Sequence, residues 1–501
     1  MREPCPARFN LARYCLAANA ARRPDALALT IVGASDAQSW TYGALDRRVR
    51  ALAGGLAALG LPARSRLMIR MGNEANAALL YFAAIAAGHV ALIVSAQLTF
   101  EEADFLRGDC DAAVVALGAA FASETHKDAL VLRPADIARL SQAAPLDDYA
   151  DTAADDPAYL VYTSGTTSRP KGVLHAQRAA WGRRPMHANW EGLRPGDVML
   201  HAGAINWTYT LGVGVVDPLV CGAASIVYNG PPDTDVWPRL IEEHRATIFA
   251  AVPGIYRQIL KSGAMARRDV STLRHALTAG APLSPALLAE WRAATERELY
   301  EAFGMSEIST FISSGPTMPT RPGSPGRPQP GRIVAALPLD GGQTPLPPGQ
   351  TGVLAVHRAD PAMMLRYWNR PEEEAAAWRG DWFLTSDLVH FDADGYVWHH
   401  GRADEVMNAG GYRVSPAEVE KCLLALPGVA DAAVAEAPGR SADATIIRAW
   451  VVPREGAGLT QAAVLAHCAE HLAAYKRPRV VTFASALPRN ANGKLLRKKL
   501  T

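Results

Sequence analysis

Apolar positions recur along the N-terminal part of the chain with two different periods. "YGALDRRVRALAGGLAALGL" and "EANAALLYFAAIAAG" place apolar residues every three or four positions and predict helices. "SRLMIRM", "VALIVS", "DAAVVAL", "AYLVYT", "ASIVYNG" and "ATIFAAVP" are short, β-branched runs and predict strands. Their alternation predicts α/β layers built on mainly parallel strands. From Gly315 to Gly352 Pro and Gly come too densely for helices, so turns and short antiparallel strands are expected. Further on, "DGYVWHHGRADEVMNAGGYRVSPAEVEKCLLAL" reads strand, turn, Gly-Gly loop and helix. Ser415, Pro416 and Glu418 there have the spacing of a capping box with Pro at the first helical position. "ADAAVAEA" and "TIIRAWVVP" follow as strands, so the C-terminal part reads as a separate unit with a boundary near Asp404, dividing 1–403 from 404–501.

Composition narrows the class. A chain of 501 residues exceeds one ordinary core and implies at least two domains. With 49% hydrophobic and 20% charged residues it has a soluble globular composition. A net charge of +2 argues against a protein built to hold nucleic acid. The stretch "NAALLYFAAIAAGHVALIVS" has the length of a membrane span, but Gly88 and His89 interrupt it, so a buried helix followed by a buried strand is expected. The six cysteines include no C-x-x-C pair, which speaks against a disulfide framework or zinc site and fits a reducing cytoplasm. No uninterrupted apolar segment of signal-peptide type opens the chain.

Five segments carry candidate chemistry. After an apolar run, "YTSGTTSRPKGV" gathers the hydroxyls of Thr163, Ser164, Thr166 and Thr167 with Gly165 and the cation of Lys171. The spacing is not that of a P-loop, and Pro170 lacks an amide hydrogen, so backbone donors alone cannot cradle a phosphate here. Hydroxyl donors with Lys171 as point charge can hold a phosphate, and a solvated Ser/Thr loop is an equal reading of these residues alone. "LTAGAPLS", "YEAFGMSE" and "TSDLVHFDADGYVWHHGRADEV" follow in order, and "LPRNANGKLLRKKL" closes the set. Taken singly, Glu307 reads as a surface carboxylate, Asp387 as a turn or cap residue, and the C-terminal segment as a solvated basic tail.

Together these segments resemble the motifs of the adenylate-forming superfamily, and the resemblance runs from "NLARYCL" to Lys494. It implies a large N-terminal domain of layered α/β subdomains with a small β-barrel-like part, and a small mobile α+β C-terminal domain. By that resemblance Thr163 to Thr167 and Lys171 hold the outer phosphates of ATP, with Ser168 standing where Gly is usual. Gly280, Ala281 and Pro282 lie beside adenine, Phe303 and Gly304 flank it, Ser306 contacts the α-phosphate, and Glu307 holds Mg²⁺. Asp387 accepts from the ribose hydroxyls, in a segment where Ser386 replaces the usual Gly, and Arg402 lies nearby. Asp404 is the hinge, Gly410 and Gly411 line the CoA tunnel, Arg413 reaches the phosphates, and Lys494 is the catalytic lysine.

The resemblance also implies the reaction: a carboxylic acid is activated by ATP to acyl-AMP and transferred to CoA. The chain ends soon after Lys494, which leaves CoA as the simplest acceptor and a separate carrier protein as the alternative. A nucleotide-binding relative without activity is a third reading, against which Lys494, Glu307 and Asp387 all stand. "HAGAINWTYTLGVGVV" offers no carboxylate for an amino acid's ammonium and, with Trp207 in the acyl pocket, resembles acetyl-CoA and medium-chain acyl-CoA synthetases. Acetate-specific relatives carry Trp where this chain has Gly304, so a roomier pocket and a medium-chain, branched or aromatic acid are expected. Further partner expectations are a lysine acetyltransferase acting on Lys494 and a homodimer.

Overall fold

The computed structural model describes residues 3–163, 170–231, 233, 235–403, 407–409, 412–438, 445–489 and 495–500. The chain forms two compact units, residues 1–333 with 358–377, and residues 334–357 with 378–501. The boundary expected near Asp404 lies inside the second of these, and Asp404 itself lies outside the described residues.

The first unit is built on two large sheets. In one, the strands run in the order Arg366–Tyr367, Lys171–Ala176, Pro157–Thr163, Val90–Val94, Arg66–Arg70, Ala112–Leu117, Leu130–Leu132. From Pro157–Thr163 to Leu130–Leu132 all neighbours are parallel, and only the two strands beyond it turn antiparallel. In the other, parallel strands Leu27–Val32, Ala224–Tyr228, Val198–His201, Ile248–Ala251, His275–Thr278 and Glu298–Met305 lie side by side, with antiparallel additions at both edges. Helices Leu11–Arg22, Tyr42–Ala57 and Ala75–Ala86 fill one continuous apolar core with residues from both sheets. From Ala77 to Ala86 every residue of the last helix is buried, which explains its apolar character on all sides. Among the described residues no helix is long and apolar enough to cross a membrane.

The second unit holds the β-rich part expected after Gly315: Val334–Leu337, Gly352–His357, Trp378–Arg379, Trp382–Phe391 and Val397–Arg402 form an antiparallel five-stranded sheet. C-terminal to it, Val429–Pro438, Thr445–Pro453 and Val480–Phe483 form a mixed three-stranded sheet. Helices Pro416–Ala425 and Gln461–His471 supply Val419, Leu423, Val464 and Cys468 to the same core. The capping box expected at Ser415 is not formed. Ser415 occupies the N-cap position, but its hydroxyl donates to the His400 carbonyl, and Glu418 instead accepts from Lys476 Nζ at 2.5 Å. All six cysteines are free thiols.

Candidate active site

In the first unit the Thr/Ser-rich segment is the connection of a β-hairpin. Strand Pro157–Thr163 returns as Lys171–Ala176, with Thr163 paired to Lys171, so the segment leads into a strand and not into a helix N-terminus. Ser164, Gly165, Thr166, Thr167 and Ser168 lie outside the described residues. Lys171 Nζ lies 4.8 Å from the centre of the Tyr367 ring. The same tyrosine donates its hydroxyl to Glu307 Oε1 at 2.7 Å. Tyr367 therefore touches both the cation and the carboxylate singled out in the sequence, and its hydroxyl bonds Glu307, which is 8% exposed. A nearly buried carboxylate oxygen held this way suits a hard divalent cation.

Parallel strands converge on the neighbouring residues. Strand His275–Thr278 runs into Gly280, which adopts φ 86°, and then Ala281 and Pro282. A Cβ on Gly280 would come within 2.6 Å of the Trp207 ring, so glycine lets the indole approach this turn closely. The turn is tied down by Glu301, whose Oε1 accepts from the Leu283 amide at 2.9 Å. Burial pushes the Glu301 carboxyl up to about 8. Glu301 shares its strand with Phe303, which is partly exposed and packs edge-on against Phe311 with ring centres 5.6 Å apart. The Ser306 carbonyl is bonded to His175 Nε2 at 2.7 Å. His175 is buried and stacked on Tyr159, and burial lowers its imidazole to about 4.

Gly304 requires a correction. Its absent side chain does not leave an open pocket: a Cβ there would lie 2.5 Å from the Ser309 carbonyl oxygen and 2.6 Å from Thr310 Cα. The strand pairing slips between Phe303 and Gly304, and glycine permits the close approach of the two hairpin strands. Missing bulk at 304 thus relieves backbone crowding and cannot by itself enlarge an acyl site.

In the second unit Asp387 is 7% exposed on strand Trp382–Phe391. Its amide donates to Thr385 Oγ1 at 3.2 Å, one carboxylate oxygen lies 2.9 Å from His399 Nε2, and the other lies 3.9 Å from Arg402 Nη1. Ser386 sits at φ 65°, the left-handed region that glycine enters freely. Arg413 lies on strand Tyr412–Val414, paired with Asn408. Asp404, Gly410, Gly411 and Lys494 lie outside the described residues.

Sequence reasoning passed over Tyr367, His175, Glu301 and His399. Each acts through a partner remote in sequence, and only Glu301 and His399, inside quoted motifs, carried a local signal.

Residues 16–368 match the family model described as AMP-binding enzyme, and residues 418–494 match that of the AMP-binding enzyme C-terminal domain. The chain is similar to the 3-hydroxybenzoate–CoA ligase of Aromatoleum sp. (strain CIB), 31% identical over 484 residues that cover 93% of this chain and 91% of the relative. Its fold is similar to that of the anthranilate CoA ligase AuaEII in complex with anthranoyl-AMP, with a TM-score of 0.89, 26% identity and coverage of 99% and 97% of the two chains. ATP-bound MatB from Rhodopseudomonas palustris is similar with a TM-score of 0.90 and 29% identity, over 98% and 97% of the chains. On this match the chain belongs to the AMP-binding enzyme family.

Proposed function

We propose that the chain is an AMP-forming carboxylate–CoA ligase that converts a carboxylic acid, ATP and CoA into acyl-CoA, AMP and pyrophosphate. The acid is larger than acetate, of the medium-chain, branched or aromatic kind. The observation that carries this reading is the grouping of Lys171, Tyr367 and Glu307, in which a cation lies over the ring of one tyrosine and a carboxylate accepts from its hydroxyl. Likeness to a full-length CoA ligase for a hydroxybenzoate supports CoA over a carrier protein and an aromatic acid over a short one.

The chemistry follows from the acid. A carboxylate has no adequate leaving group, so one of its oxygens attacks the α-phosphorus of ATP and pyrophosphate departs, leaving a mixed anhydride. The CoA thiolate then attacks the acyl carbon and AMP departs. The protein's part is positioning and charge neutralisation. Lys171 neutralises the departing pyrophosphate, with Thr163 and the residues after it as hydroxyl donors. Tyr367 orients Glu307, which would hold Mg²⁺; that ion neutralises phosphate charge when bound. Ser306 contacts the α-phosphate, while Gly280 to Pro282 and Phe303 border the adenine. Asp387, oriented by His399, accepts from the ribose, with Arg402 beside it and Arg413 directed to the phosphates. Lys494 serves adenylation, Gly410 and Gly411 serve the CoA step, and Asp404 is the hinge between the two. A cytoplasmic location accords with six free thiols.

The test is pyrophosphate release from the purified chain over a panel of carboxylic acids, with and without CoA. Release with an aromatic or medium-chain acid, and acyl-CoA formed only when CoA is present, is expected. Adenylate formation that never passes to CoA would overturn the acceptor.

A further inference from the structure

Behind Trp207 the first unit buries polar atoms that nothing among the described residues satisfies. Trp207 packs on Gly280 and edge-on against Tyr209, with ring centres 5.3 Å apart. Tyr209 in turn packs edge-on against His201, at the end of strand Val198–His201, with ring centres 4.4 Å apart. His201 is 1% exposed, and among the described residues neither ring nitrogen has a hydrogen-bond partner. The same is true of the Thr210 hydroxyl, on a residue that is fully buried.

The two groups face one spot. A Cβ placed on Gly203 would run into Thr210 Oγ1 and lie 3.2 Å from His201 Nδ1, so imidazole and hydroxyl meet over this glycine. Thr210 also opens the π-helix Thr210–Val216, a rare geometry that recurs at functional sites. Some other buried polar groups nearby are paired, whereas Thr278 Oγ1, also fully buried, is not paired among the described residues. Tyr209 and Tyr256 donate to the Leu277 carbonyl, and His275 Nε2 bonds the Glu191 carbonyl. Native proteins rarely leave buried polar atoms without a hydrogen bond, so a polar pair left open beside Trp207 calls for a partner, a water or a bound molecule.

We infer that His201 and Thr210 form the polar end of the acyl site and that the acid carries a neutral hydrogen-bonding substituent, a hydroxyl or an amino group, on its apolar body. This rests on the ligase reading and on Trp207 bordering the acid. The imidazole offers an acceptor nitrogen, held neutral by burial, and Thr210 offers a hydroxyl that accepts or donates.

The experiment compares kcat/KM for benzoate, 3-hydroxybenzoate, 4-hydroxybenzoate and 2-aminobenzoate, read by pyrophosphate release and CoA consumption. The enzyme should prefer at least one substituted acid over benzoate by about ten-fold or more, since a site built to bond a substrate hydroxyl rejects the analogue lacking it. His201→Phe and Thr210→Val should each shrink that ratio several-fold through the KM of the substituted acid. His201→Asn, which keeps a polar group near Nδ1, should retain part of it. Melting temperatures of all variants establish that they are folded, and Thr210→Val serves if His201→Phe is not. Substituted acids used no better than benzoate, or a ratio unmoved in folded variants, overturns the inference while leaving the ligase reading intact. Failure of every carboxylic acid to release pyrophosphate overturns both.

Discussion

At the scale of single residues, Ser386 carries backbone strain beside Asp387. An L-residue at φ 65° pays about 1–2 kcal/mol that glycine does not, offset in part by the extra freedom glycine brings to the unfolded chain. Ser386→Gly should therefore raise stability by about 1 kcal/mol at most. Chemical denaturation checks this, and a destabilised variant would mean that the serine hydroxyl makes a bond worth more than the strain. Tyr367 offers a sharper case. Tyr367→Phe keeps the ring under Lys171 but removes the hydroxyl from Glu307. Hydrogen bonds to charged groups contribute about 1.5–3 kcal/mol, so kcat/KM should fall about 10–100-fold. The magnesium concentration giving half-maximal rate should rise with it, and an unchanged magnesium dependence would disconnect Tyr367 from the metal. Lys171 and Glu307 were legible because each sits in a dense local motif. Tyr367 was not, because it meets Glu307 from sixty positions away, on a two-residue strand that exists only through pairing with Val173 and Leu174.

Among the elements, strands and helices of the two large sheets stand where the apolar pattern put them, since burial on both faces of a parallel sheet writes itself into sequence as unbroken β-branched runs. Features that depend on a partner were not legible. The slipped pairing at Gly304 and the π-helix at Thr210 follow from what the chain packs against, and Ser415 gave up its cap for the His400 carbonyl. The slip changes what a substitution at 304 should do. Gly304→Trp should not shift chain-length preference; it should force the hairpin strands apart, at a cost of about 1–3 kcal/mol or more, and lower activity toward all acids alike. A folded variant with its preference moved toward acetate would restore the open-pocket view. Glu301, linking its strand to the Leu283 turn, makes stability depend on pH. Its folded carboxyl titrates near 8 against an ordinary value of 4.5, so the folded state holds a proton that the unfolded state has lost between those values. That contribution is complete below about pH 4.5 and fades as pH rises towards 8. Glu301→Gln keeps an acceptor for the Leu283 amide without the titration. The melting temperature of the parent should therefore fall relative to Glu301→Gln between pH 5 and pH 8, and parallel curves would mean that Glu301 is ionised throughout.

For the whole molecule, the question is whether one lysine separates the two half-reactions. Lys494 closes the segment that matches the C-terminal family model, whereas Lys171 and Glu307 belong to the first unit. If Lys494 supplies charge to the α-phosphate and the attacking carboxylate, its need ends once the mixed anhydride exists, because the thiol attacks carbon and not phosphorus. Removing one such donor costs about 10²–10³-fold in rate at comparable sites. Lys494→Ala should lose adenylate formation by about that factor and retain thioester formation from supplied acyl-AMP. Acetylation of Lys494 should act in the same direction, since it removes the charge. Parent and variant are compared by pyrophosphate exchange for the first step and by thioester yield from synthetic acyl-AMP for the second. Equal loss in both steps from a folded variant would show that Lys494 supports the protein and not the first reaction. Loss confined to the thioester step would reverse the assignment and put the lysine with CoA.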